Sequence, residues 1–195
     1  MNVRVEKGRA TRDQLIAVAT RLFAERGYDG TSIDAVLEEA GVSRGSLYHH
    51  FASKTALFEA VLQAVEISIG EETLAAAAGT ADPLAALRAG CLAWVRLAGD
   101  PVVRRIVLLD APAVLGWARW REIEEEHALG TLKLAMQAAA AEGRLPPELA
   151  DVFAHLLLAT MNELAQVIVR SDDLEAAQRT AEAAVDEVLA RLLNA

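Results

Sequence analysis

A glycine set between two short amphipathic runs constrains this chain more than any other feature. Across Ile33 to Leu57, IDAVLEEAGVSRGSLYHHFASKTAL, the apolar residues Ile33, Val36, Leu37 and Ala40 recur at helical spacing and stop at Gly41, a residue free to take the left-handed conformation that closes a helix. Ser43 then offers a hydroxyl to cap a second helix, whose inward residues are Leu47 and Phe51. The spacing predicts two short helices joined by a tight turn, a helix-turn-helix. The second helix leaves Arg44, Gly45, Ser46, Tyr48, His49 and His50 outside its Leu47/Phe51 stripe. That polar face suits a DNA major groove, where the first turns of a recognition helix meet base edges, and it equally suits the solvated side of an ordinary αα-hairpin.

The flanking sequence extends the pattern. Leu15, Ile16, Ala19, Leu22 and Phe23 predict an amphipathic helix over Arg12 to Arg26, ended by Gly27. The stretch before it, Met1 to Arg9, reads as a polar arm with Arg4, Lys7 and Arg9 as its cations. Thr31 or Ser32 can cap the helix that begins at Ile33, or hold a phosphate at its free amides. Lys54 opens a further helix, where a cation is unfavourable against the helix dipole unless an anion is close by. From there Leu57, Phe58, Val61, Leu62, Val65 and Ile69 continue one apolar stripe.

Charge is unevenly spread. Residues 1–60 hold eight Lys/Arg and eight Asp/Glu, so the net charge of −9 lies entirely in the remainder. A neutral head with clustered cations can still grip phosphates, which a uniformly acidic chain could not. With 53% hydrophobic residues, 5% aromatics, five prolines and twelve glycines, the composition points to an all-α protein. The single cysteine, Cys91, has no partner for a disulfide and fits a reducing cytosol. The charged N-terminus lacks the apolar core of a signal peptide, and the apolar stretch Val152 to Val169 is interrupted by His155, Asn162, Glu163 and Gln166, as in a buried helix rather than a membrane span.

Residues 10–65 resemble the DNA-binding domain of the TetR family of bacterial regulators. The resemblance rests on Phe23, Gly27, Thr31, Ala40-Gly41-Val42-Ser43, Gly45-Ser46-Leu47-Tyr48, His50-Phe51, Ser53-Lys54 and Leu57, with Leu37 standing where the family usually has alanine. It implies an N-terminal three-helix helix-turn-helix domain over 1–55, a connecting helix to about residue 70, and a helical effector-binding and dimerisation domain over 71–195. It implies that Tyr48 and Lys54 hold phosphates, with Thr31 or Ser32 at the first helix of the motif. Arg44, Gly45, Ser46 and His49 then lie nearest the bases, Ser43 opens the reading helix, and His50 either contacts phosphate or packs beneath. Residue chemistry agrees: Arg44 can bond guanine through two donors, Gly45 permits close approach, and the Tyr48 hydroxyl can donate to phosphate.

Beyond residue 70 the pattern predicts a break over Glu71 to Ala81, helices over Pro83 to Leu97 and Val102 to Asp110, and a further break at Ala111-Pro112. A long helix over Leu115 to Ala141 follows, then two broadly apolar helices, Glu148 to Val169 and Asp172 to Leu193. The resemblance implies that the last two helices form the homodimer interface. Trp94, Trp117, Trp120, His127, His155, Met161 and Asn162 are candidates for an effector pocket, as soft or polar-handled residues among aliphatics; Glu124-Glu125-Glu126 reads as a solvated face. No catalytic constellation, metal site or cofactor-binding loop is found: His49 and His50 project apart, and Cys91 has no histidine near it to act as its base. The expectation is a cytoplasmic, non-enzymatic repressor that binds a palindromic double-stranded DNA operator as a dimer and is released by a small molecule.

Overall fold

The structure, a computed structural model, describes residues 3–80 and 82–193, and among them every regular element is helical. The chain forms two compact units, one from residues 1–65 and 101–120 and one from 66–100 and 121–195. The first unit is thus built from two separate stretches of chain.

In the first unit, α1 (Val3–Gly30) is regular as far as Gly27, whose φ of 72° and ψ of 172° are open only to glycine. The residues expected as a free basic arm are helical from Val3, where Glu6 supplies an acid in the first turn, while Met1 and Asn2 lie outside the described residues. α2 (Ile33–Ala40) is capped by Ser32, which accepts the Ala35 N–H at 3.1 Å, and closed by Gly41 at φ 63° with the Val42 N–H returning to Leu37 O. α3 (Arg44–His50) is capped by Ser43, which accepts the Ser46 N–H at 3.2 Å. α4 (Lys54–Ala77) is opened by Ser53, and the break expected over Glu71 to Ala81 falls at its end, at Gly79 with φ 80°, because the alanine-rich last turns are good helix formers as far as Ala77.

The core of this unit gathers Leu15, Leu22 and Phe23 from α1, Leu47 from α3, and Leu57 and Phe58 from α4, all fully buried. Phe23, Tyr28 and Phe58 form a ring cluster with centroids 5.2–5.8 Å apart. A π-helical segment, Val103–Asp110, packs on α1 and runs without a break into α6 (Ala111–Leu115). The break expected at Pro112 is absorbed by the wider turn before it: Ala111 N–H bonds Ile106 O, and the proline, which has no N–H, sits in the first turn of α6. The true break is Gly116, at φ 79°, so the long helix begins at Trp117 rather than Leu115.

α7 (Trp117–Glu124) begins in the first unit and ends in the second, where it continues through a π-helical turn, Glu125–Leu129, into α8 (Gly130–Ala141). A single 3₁₀ turn, Pro147–Leu149, leads to α9 (Ala150–Val169), and Asp173 caps α10 (Leu174–Leu192) by accepting the Ala176 N–H at 2.9 Å. α5 (Pro83–Leu97) is tied to α10 by Arg88, which pairs with Asp186 at 2.5 and 2.8 Å, and by Gln178. By length and composition Pro147–Val169 could cross a membrane. Its inner face, including Leu157, Met161 and Ile168, is instead buried against α8 and α10.

Gly27 lies where the two stretches of the first unit meet. The Arg105 guanidinium lies where a Gly27 side chain would be, and it shares Asp110 Oδ2 with the Tyr28 N–H, at 3.2 and 2.7 Å. Gly27→Ala is therefore expected to cost about 1–3 kcal/mol, from backbone strain and displacement of Arg105. The urea midpoint reports this, and an unchanged midpoint would contradict it.

Candidate functional site

α3 has only 7 residues, too few to be stable alone. Its orientation comes from Leu47 and Phe51, both buried, and from Arg12, whose guanidinium lies 5.5 Å from the Phe51 ring centroid. The opposite face is free: Ser43, Arg44, Gly45, Tyr48 and His49 are exposed, and Ser46, His50 and Lys54 are partly so. A Cβ at Gly45 would meet nothing within 4 Å, so the close approach there is toward whatever lies outside.

Two of these side chains are held in place. Arg44 pairs with Asp34 of α2, both exposed, a contact that solvent screens and a base or phosphate can replace. Lys54 Nζ stands 4.1 Å from the Tyr28 ring centroid, which orients the ammonium beside the start of α4. Thr31 behaves otherwise than expected: it is 1% exposed, and its hydroxyl lies 2.9 Å from Gly27 O and 3.0 Å from Leu22 O. The hydroxyl pins α1 to the start of α2 and cannot reach a phosphate, whereas the exposed Ser32 can.

The second unit holds an apolar cavity of about 310 Å³. Four of the seven pocket candidates line it: Trp94, His127, Met161 and Asn162. The other three do not. Trp117 and Trp120 belong to the first unit, where their rings pack 4.7 Å apart with Trp120 buried and Trp117 65% exposed. His155 is on the exposed side of α9. Soft or polar-handled residue types mark interiors in general, not one particular cavity.

The sequence reading missed the acids. Glu124, expected on a solvated face, is 3% exposed, and its Oε2 accepts the Asn162 Nδ2 at 2.6 Å. Glu66 is 5% exposed on the same cavity wall, and its buried Oε1 has no hydrogen-bond partner. A signal was present. Consecutive glutamates point about 100° apart on a helix, so three in a row spread over more than half its circumference and the outermost can reach the buried side, and a buried Asn162 needs a partner.

Residues 15–61 match the bacterial regulatory proteins of the tetR family, and residues 84–192 match the tetracyclin repressor-like C-terminal domain. A TetR-family transcriptional regulator from Pectobacterium atrosepticum has a similar solved structure, with 31% identity, a TM-score of 0.86 and 98% of each chain covered. The chain belongs to the TetR family. Its members are helix-turn-helix transcriptional regulators that bind DNA. AcrR of Shigella flexneri, a transcriptional regulator, is 38% identical over 84 residues, 43% of this chain. FasR of Mycolicibacterium smegmatis, a transcriptional activator, is 46% identical over 52 residues, 27% of this chain. The chain spans only 39% and 24% of the length of these two curated relatives.

In this TetR-family protein the cavity acids are strongly perturbed. Burial pushes Glu66 up to about 7. Burial, then the charge of Glu66, pushes Glu124 up to about 8 against the opposing pull of Arg121, 3.9 Å away, and of Asn162. Cys91, also on the wall, is pushed by burial up to about 12 and stays a thiol. Because both carboxyls hold protons more tightly folded than unfolded, they lower stability as pH rises from about 4.5 towards these values, and the loss is complete above them. The urea-derived stability is expected to fall between pH 5 and pH 8, and Glu124→Gln to remove on the order of 1–3 kcal/mol of that fall. Parallel pH profiles for the two proteins would contradict it.

Proposed function

We propose that this protein is a repressor that binds a near-palindromic operator as a homodimer and releases it when a small molecule enters the cavity of the second unit. The observation that carries the reading is the exposed polar face of α3, anchored from behind by Leu47 and Phe51 and flanked by Lys54. Arg44 and His49 are the base readers, with Gly45 and Ser46 allowing the helix to sit deep in the major groove. Tyr48, Lys54 and Ser32 hold phosphates, and Ser43 caps the reading helix at its contact end.

Two such helices must stand about 34–36 Å apart to read successive major grooves, so a dimer is required. Val152, Leu156, Ala159 and Val167 support one built on α9 and α10: they form an exposed apolar stripe along α9 that a partner copy would cover. The effector would favour a dimer whose reading helices are wrongly spaced, and a coupling of about 1–3 kcal/mol is the usual scale for such a response. The protein acts in the cytoplasm, where its DNA lies, and no residue is assigned to catalysis.

Mutagenesis of the face separates the roles, with binding measured to a duplex carrying the region upstream of the protein's own coding sequence. Lys54→Ala is expected to weaken binding to every sequence and to lower the slope of log affinity against log salt by about 1. Arg44→Ala is expected to relax preference at one base position, by about 1–3 kcal/mol. Equal weakening on all DNA by Arg44→Ala would remove it as a base reader.

A further inference from the structure

The acids of the cavity are more than a core requires. Glu66 brings an oxygen that is buried and unpartnered into a largely apolar wall, and Glu124 faces the same space with only Asn162 bonded to it within the cavity lining. The nearby cation, Arg121, is divided between Glu124 at 3.9 Å and Glu125 at 3.0 Å. Two desolvated carboxyls with so little compensation cost stability, and that cost is recovered by a group of opposite charge.

We propose that the cavity binds an amphiphilic organic cation, a molecule with an apolar body and one amine or quaternary ammonium group seated against Glu66 and Glu124. The proposal rests on reading this cavity as the effector site and names the chemical class that fits it. Trp94 lies on the wall with its indole N–H satisfied by Met161 O at 3.2 Å, so that what it can offer a cation is its ring. A carboxylate ligand would meet two acids. Calcium takes six or more oxygen ligands, which this apolar wall does not offer, and among the described residues no group of three or more acids, histidines or cysteines that could hold any metal ion occurs.

Proton release accompanies binding. In the empty cavity Glu124, pushed up to about 8, is mostly protonated at neutral pH, and Glu66, pushed up to about 7, is about half so. The cation pairs with a carboxylate, so a carboxyl gives its proton to solvent as the cation enters. The other groups that face these acids are Arg121 and Glu125 beside Glu124, with His127 and the thiol of Cys91 on the wall. None of these is altered by replacing the two glutamates with glutamine.

Calorimetric titration of the full chain with octyltrimethylammonium, octanol and nonanoate tests the class. The cation is expected to bind most tightly at pH 8, about tenfold more tightly than at pH 6, as expected when one carboxyl must deprotonate, with octanol unaffected by pH. The double variant Glu66→Gln/Glu124→Gln should lose the cation preference and its pH dependence while keeping octanol binding and a cooperative melt. Tightest binding of octanol or nonanoate, a pH dependence that survives the double variant, or no binding of the cation at pH 8 would each overturn the proposal. The same probes added to the protein–DNA complex separate the two readings. Cation binding without a change in DNA affinity upholds the ligand class and removes the effector role, whereas DNA release by octanol or nonanoate alone keeps the effector role and overturns the class.

Discussion

The burial of Leu47 and Phe51 is the contact on which the DNA-reading part of the molecule depends. A helix as short as α3 has too few internal hydrogen bonds to offset its own nucleation, so its direction is set by what it packs on. That support is the core of Leu15, Leu22, Phe23, Leu57 and Phe58. The core is fixed in turn by the Gly27 kink, which lets Tyr28 fold back onto Phe23 and Phe58 while Thr31 pins the following turn. Rigidity behind and solvent in front is the arrangement a base-reading helix needs, because small errors of placement forfeit directional hydrogen bonds.

The second unit solves a different problem. Its helices bury broad aliphatic faces, yet around the cavity they also bury Glu66, Glu124 and Asn162. For stability alone, hydrophobic residues of the same size would serve as well or better. Retaining acids there makes the empty cavity sensitive to proton and ligand alike, so occupancy can shift the relative free energies of two conformations, which is all an effector is able to do. The tether from Arg88 to Asp186 and the contact from Gln178 to Val95 and Arg96 join α5 to α10, which links a wall of the cavity to a helix assigned here to the dimer interface.

What was legible in the sequence was local. The Gly41 turn, the Ser43 cap and the Leu47/Phe51 stripe depend on residues within one or two turns of each other, and the structure reproduces them. The all-α fold is legible in the composition, and the family in motifs spread over residues 10–65. The assignment of residues 101–120 to the first unit involves contacts such as Tyr28 to Asp110, 82 positions apart, which no periodicity encodes. Pro112 looks like a break in sequence because nothing near it announces the compensating π-helical turn, and Gly116 stands within an otherwise helical run. At the cavity, Trp117, Trp120 and His155 share their chemistry with Trp94 but not its place. Three adjacent acids look like surface, although Asn162 needs the buried partner that Glu124 supplies.

The central claim is that the exposed face of α3 reads a particular DNA sequence as part of a dimer. Fluorescence anisotropy of a labelled duplex carrying the protein's own upstream region, compared with a scrambled duplex at about 150 mM salt where non-specific attachment is weak, tests it most directly. The account predicts a clear preference for the upstream duplex, saturating at two protomers per site. Equal affinity for both duplexes at every salt concentration, or saturation by a single protomer, would contradict it.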